Sequence, residues 1–317
     1  MTAVRVERLL IDTDPGVDDA AALLLAAGHP GARIEAVTVV GGNVGLENTL
    51  ANTCTVLDLV ESSAPVFAGC GLGLVYQNLE KTTVHGSDGL GDVGFPPSSR
   101  AIEEEHASAA IVRLANDEPG ELTLVALGPL SNVALAVRLD PELPHKLKRL
   151  VVMGGAVNGR GNTVMLPSEF NFLADPEAAF VTLDAWSRAG QMVELVDWEV
   201  TQLGAVSAEE LERWFVNETP YTRFLSQILA PWLEITADHY EQPLFHPADP
   251  LAMAVAIEPE IVLESEDRFV VVETQGRHTR GQSVVDWASV SGKSPNVRIV
   301  KDVAWNYFYQ SMIASLQ

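Results

Sequence analysis

Hydrophobic positions along the chain fall in short unbroken runs separated by amphipathic stretches. RLLID (8–12), RIEAVTVV (33–40), APVFAG (64–69), ELTLVAL (121–127), LKRLVVMGG (147–155) and MVELV (192–196) are rich in aliphatic residues, as strands buried on both faces are. Helical spacing between them predicts helices over 18–28, 46–61, 106–116, 129–138 and 176–184, the last with Asp175 at its N-cap and Pro176 at its first position. Strands each followed by a helix make an open, mostly parallel sheet with helices on both faces, an α/β, Rossmann-like class.

The later chain breaks this rhythm. Residues 207–242 read as an added helical segment carrying Trp214, Tyr221, Trp232 and Tyr240. DRFVVVETQG and GQSVVDWAS then alternate like a C-terminal hairpin, and NVRIV leads into a last helix near 302–315. With no repeat, linker or low-complexity tract, residues 1–317 are expected to be a single domain.

Composition narrows the function classes. Of 317 residues, 47% are hydrophobic, enough for a large core. The absence of a long apolar run and of a cleavage site argues for a cytoplasmic protein that does not enter a membrane. Cys54 and Cys70 are too few for a disulfide framework or a four-ligand zinc site and read as small buried side chains. A net charge of −23 without a basic cluster argues against nucleic acid as a partner.

The chemistry concentrates in LLIDTDPGVDDAAALLLAA, where Asp12, Asp14, Asp18 and Asp19 crowd together between aliphatic residues. In an open parallel sheet, ligands bind beyond the carboxyl ends of the strands, and this segment runs from such an end into a helix start. The helix dipole favours carboxylates there by roughly 0.3–1 kcal/mol each, which accounts for Asp18 or Asp19 alone but not for Asp14 beside them. A hard cation resolves the repulsion, and an oxygen donor set points to calcium or magnesium rather than zinc. The spacing is not that of an EF-hand. An alternative is a phosphatase of the haloacid-dehalogenase type with Asp12 as nucleophile, but no later Ser/Thr and Lys motifs accompany it.

DTDPGVDDA resembles the signature of the inosine-uridine type nucleoside hydrolases. VVGGNVGLENT, VHGSDGLG, LTLVALGPLSNVALA, VVMGGAV, SEFNFLADPEAA and DPLAMA follow in that family's order, over roughly residues 8–257. The resemblance implies the nucleoside hydrolase fold and calcium-dependent cleavage of a ribonucleoside to base and ribose by a metal-bound water. It implies Ca2+ held by Asp14, Asp19, Asp249 and the backbone carbonyl of Leu127, with Asp18 on ribose hydroxyls. It also implies Asn43 near the water and the 2′ side, Glu169 and Asn171 on the sugar hydroxyls, Met153 under the ring and Asn162 near the 5′ hydroxyl. Homodimers or homotetramers are common in the family. Asn43 has a plainer alternative as a turn residue, and Met153 as core. Glu169 and Asn171, two apart on an extended segment, are expected to face the same way, which suits a diol.

Cleavage passes through a sugar of oxocarbenium character, and Asp14 is the expected general base, a role worth typically ~10²–10⁴ in rate. Activation of the leaving base is where this chain departs from the family. Relatives carry a His directly before the last metal aspartate, whereas LFHPADPLAMA has Ala248 there. His246 and His239 are candidate acids, the plainer reading of His246 being a surface loop residue. His85 is expected to line the base pocket, with Trp232 and Tyr240 as aromatic candidates beside it. GRGNTVMLPSEFN is also one residue longer than usual, which unsettles the register of Asn162. These departures favour, as an alternative, a protein that binds nucleosides or other ribosyl compounds with little turnover, or a hydrolase of a non-standard riboside.

Overall fold

The computed structural model describes residues 6–76, 84–237 and 243–317. The first half alternates as expected: β1 (Glu7–Thr13), α1 (Val17–Gly28), β2 (Ala32–Val39), α2 (Leu46–Leu59), β3 (Val66–Ala68), β4 (Leu122–Ala126), β5 (Arg149–Met153) and β6 (Val193–Val196). They enter an eight-stranded sheet in the order β3-β2-β1-β4-β5-β6, continued by Val297–Val303 and then Val262–Arg268. All neighbours pair in parallel except the last two.

Strand periodicity divides the core in two. Leu9, Ile11, Val37, Val125 and Val151 face one layer, built largely from α1 and the helices Pro220–Ala237, Ala248–Ile257 and Trp305–Ser315. Leu10, Ala36, Leu124, Leu150 and Val152 face the other, covered by the helices Ala107–Asp117, Ser131–Leu139 and Pro176–Ala189. Asp175 does cap the last of these, accepting the Ala178 N–H, with Pro176 at its first position. Burying aliphatic side chains on both faces stabilises such a sheet by roughly 1.5–3 kcal/mol per large residue.

Several local expectations change. The expected hairpin forms, Val270–Val272 pairing antiparallel with Ser283–Val285. The strand through NVRIV continues to Val303, so the final helix begins at Trp305. Val262–Arg268 is a strand the hydrophobic pattern does not announce, because VLESEDR lies at the sheet edge with no fully buried residue. Cys54 is buried but Cys70 only partly so. His239 and Tyr240 lie outside the described residues. Among those described, no helix is long and apolar enough to cross a membrane.

Candidate active site

Strand order reverses between β1 and β4, the place where an open α/β sheet parts its loops and leaves a crevice. Asp14 emerges just past β1 and Leu127 just past β4. Asp18 and Asp19 occupy the first turn of α1, and Asp249 the first turn of Ala248–Ile257, a helix buried along its whole length. These elements therefore converge on one end of the sheet. The crevice is a pocket of ≈ 550 Å³ whose lining includes Asp18, Asn43, Leu127, Met153, Glu169 and Asn171, with Asp249, His246 and Ala248 on the same wall system.

The acidic floor is tightly built. Asp19 accepts the Thr13 hydroxyl at 2.5 Å and the Gly16 N–H at 2.9 Å, which closes the start of α1. Asp14 Oδ2 accepts the Asn43 N–H at 2.7 Å, and Asn43 Nδ2 donates to the Asp14 carbonyl and to Asp19 Oδ2. Two glycines make room for the Asp14 carboxylate. A Cβ on Gly42 would lie 2.0 Å from its Oδ2 and one on Gly128 2.4 Å from its Oδ1. One carboxylate oxygen each from Asp18, Asp19 and Asp249 lie within 4.8 Å of one another. Asp14 joins this group electrostatically rather than in that close set.

Burial, reinforced by the neighbouring carboxylates, holds Asp14, Asp18 and Asp249 well above the usual carboxylate range, and burial raises Asp19 too. Asp14 Oδ1 and Asp18 Oδ1 are buried without a hydrogen-bond partner among the described residues. Buried carboxylate oxygens left without donors and crowded by like charge are the arrangement a hard cation compensates. The donor set thus fits a metal ion.

Asp12 is placed differently. It is fully buried, its Oδ1 accepting from Thr38 at 2.6 Å and from Asn132 at 2.8 Å, and its carboxyl is raised to about 7 by burial with no contribution from the floor carboxylates. That placement ties Asp12 into the sheet, apart from the acidic floor.

The sugar-side residues converge, but one local expectation is corrected. Glu169 and Asn171 are not on an extended segment. Glu169 caps the short helix Phe170–Ala174, accepting the N–H groups of Asn171 and Phe172 as well as that of Gly155. Burial pushes its carboxyl up to about 7. Asn171, inside that helix, donates through Nδ2 to the Leu127 and Met153 carbonyls. Asn162 is exposed at the rim, its Oδ1 taken by the Phe170 N–H at 2.9 Å.

Aromatic groups form the remaining wall. His85 is buried, accepts the Val17 N–H at Nδ1 (3.1 Å) and stands edge-on to Trp232, ring centres 5.0 Å apart. Accepting at Nδ1 places the ring proton on Nε2. His246 is a buried pocket residue rather than a surface one, its ring 5.1 Å from that of Trp198. Burial lowers His85 to about 3 and His246 to about 4, so both rings are neutral at ordinary pH. Trp232 anchors its indole N–H on the Leu244 carbonyl. Sequence reasoning missed Trp198, Thr163 and Phe170 as lining residues. Trp198 follows the carboxyl end of β6, so the strand-end rule that found the aspartates also points to it.

Comparison with known proteins agrees with this geometry. The family profile described as inosine-uridine preferring nucleoside hydrolase matches residues 9–310. The pyrimidine-specific ribonucleoside hydrolase RihA of Salmonella agona is 33% identical over 311 residues, covering 98% of each chain. The solved structure of an inosine-guanosine nucleoside hydrolase superposes with a TM-score of 0.91 at 33% identity, again over 98% of each chain. A purine-preferring ribonucleoside hydrolase from Gardnerella vaginalis superposes with a TM-score of 0.88 at 27% identity, with 98% of both chains covered. On the fold, the crevice and this match along nearly its whole length, the chain belongs to the inosine-uridine preferring nucleoside hydrolase family and is an N-glycosyl hydrolase of ribonucleosides.

Proposed function

We propose that this enzyme hydrolyses ribonucleosides in a calcium-dependent reaction with Asp14 as general base. The observation that carries the reading is the buried group of four carboxylates with two oxygens lacking donors, of which Asp18 and Asp249 line a pocket that also holds Glu169 and Asn171. Asp14, Asp19, Asp249 and the Leu127 carbonyl are the donors proposed for Ca2+, and Asp18, whose oxygen lies within the same close group, is shared between that ion and the ribose hydroxyls. When bound, calcium neutralises the floor and acidifies and orients the attacking water.

The chain's own residues account for the rest. Asn43 holds one oxygen of Asp14 through its N–H, leaving Oδ1 to take the proton of the attacking water. Asp18 and Asn171 accept hydrogen bonds from ribose hydroxyls, Asn43 lies on the water side, Met153 lies beneath the ring, and Asn162 guards the 5′ side from the rim. The carboxylates of the floor stabilise positive charge as it develops on the sugar. For the departing base, His246, with His85 in the same pocket, supplies a hydrogen bond from a neutral ring, because burial opposes an imidazolium at either position. Ala248, next to Asp249, presents only a methyl group to the same pocket. Relatives of this chain are described as pyrimidine-specific and others as purine-preferring, so the wall around the base carries the preference.

The second reading, ribosyl binding with little turnover, draws on the same neutral histidines. Reducing-sugar release from inosine, guanosine, adenosine, uridine and cytidine, with calcium or with chelator, separates the two. Ribose released only with calcium supports the proposal. Nucleoside binding by calorimetry with no ribose released from any of the five overturns it in favour of the binding reading.

A further inference from the structure

The Asn171 side-chain amide reaches two backbone carbonyls at the carboxyl edge of the sheet. Its Nδ2 donates to the Leu127 carbonyl at 2.7 Å and to the Met153 carbonyl at 3.2 Å. These are the residue just past β4 and the last residue of β5, so one side chain spans the carboxyl ends of two adjacent strands. The backbone that carries this side chain is held by Glu169. Glu169 Oε1 accepts the Asn171 backbone N–H at 2.8 Å, and Glu169 Oε2 accepts the Gly155 N–H at 2.9 Å just beyond β5. Asn171 is buried and lines the pocket alongside Leu127 and Met153.

Two carbonyls facing one amide nitrogen fix its orientation, because an Oδ1 in that place would oppose two other oxygens. A carbonyl oxygen has two lone pairs, and Asn171 occupies one of those on Leu127. We propose that Asn171 is the positioning residue for the Leu127 carbonyl, turning the oxygen so that its second lone pair faces the cation site beside Asp14. This inference rests on the calcium reading above. It also assigns the sugar-facing atom of Asn171. With the amide nitrogen committed to the two carbonyls and to Met153 Sδ at 3.4 Å, Oδ1 is what remains, so Asn171 accepts from a ribose hydroxyl and does not donate to it.

The test is calcium affinity, measured by titration calorimetry on the full chain without nucleoside. Asn171→Leu keeps the bulk and removes the donors, and Asn171→Ala removes both. Outer partners of metal ligands typically contribute 10- to 100-fold in affinity, so the calcium Kd of both variants is expected to rise by about that factor. Melting of the calcium-free variants within a few degrees of wild type shows that the fold survives. If wild type binds calcium and both variants bind it within about twofold, the Leu127 carbonyl does not depend on Asn171 and the inference falls alone. If wild type binds no calcium, the calcium reading falls and takes the inference with it.

Discussion

The floor and the wall of the pocket are held in place by different means. Floor residues Asp14, Asp18, Asp19 and Asp249 sit at a strand end and at the first turns of two buried helices, with Asp14 and Asp19 cross-linked through Asn43 and through the Asp14 N–H to Asp19 Oδ1. Wall residues His85, Trp198, Trp232 and His246 come from separate segments and are located by ring packing and by single hydrogen bonds such as Trp232 to Leu244. A floor tied to backbone suits the sugar chemistry proposed for it. A wall of packed rings can change its shape without moving the sheet, which suits the part proposed to set base preference.

The largest expected effect breaks the floor. Asp14→Ala removes the proposed base and a carboxylate of the cation site, and should lower kcat for ribose release by at least ~10²–10⁴. Retention of a tenth of wild-type kcat would move the base elsewhere. Close behind is Gly42→Ala, whose Cβ would meet Asp14 Oδ2 at 2.0 Å. Displacing that carboxylate should lower kcat/KM, and the overpacking should cost about 1–3 kcal/mol of stability, read as a lower melting temperature. Gly45→Ala is the matched control, since nothing lies within 4 Å of its added Cβ. Equal losses in the two variants would show that Gly42 matters for reasons other than Asp14.

How much of this was legible in the sequence follows the same division. The floor is local, since strand, turn and helix start lie within DTDPGVDDA, and spacing alone brings those carboxylates to the ligand edge. Asp249 came only through resemblance, because no spacing rule links residues 19 and 249. Glu169 and Asn171 were found as residues but misplaced in conformation, because Phe170–Ala174 is too short a helix to show a period. Thr163 and Phe170 adjoin the named residues Asn162, Glu169 and Asn171, and Trp198 follows a strand end, so all three carried a positional signal that their apolar or small side chains did not advertise. Val262–Arg268 was missed because an exposed edge strand has no apolar alternation to read.

A smaller effect sharpens the comparison through pH. Glu169 and Asp197 are raised by burial from ordinary values of 4.5 and 3.8 to about 7, and the floor aspartates are raised in the same direction. A carboxyl that holds its proton more tightly when folded contributes its stability fully below the unfolded value and loses it as pH rises through the folded one. Protein kept in chelator should therefore melt at progressively lower temperature from about pH 4 to above pH 7. Calcium should flatten the part of this slope that belongs to the floor and leave the part due to Asp197, which caps the helix Trp198–Leu203 through the Val200 N–H. A melting temperature that rises over that window in chelator would mean that the floor is not carrying uncompensated charge.

The smallest expected effect on kcat belongs to the wall. His246 is buried against Trp198, and that burial lowers its pKa to about 4, so near pH 7 it offers a hydrogen bond and not a free proton. His246→Ala should lower kcat by less than the ~10²-fold expected of a general acid, and by unequal amounts across the five nucleosides. Uniform losses of ~10²–10⁴ on every substrate, with the alkaline limb of the pH profile removed, would instead make His246 a true proton donor whose pKa rises once the base is bound. That result would erase the distinction drawn between floor and wall, since a group on the wall would then be carrying chemistry as large as the Asp14 term.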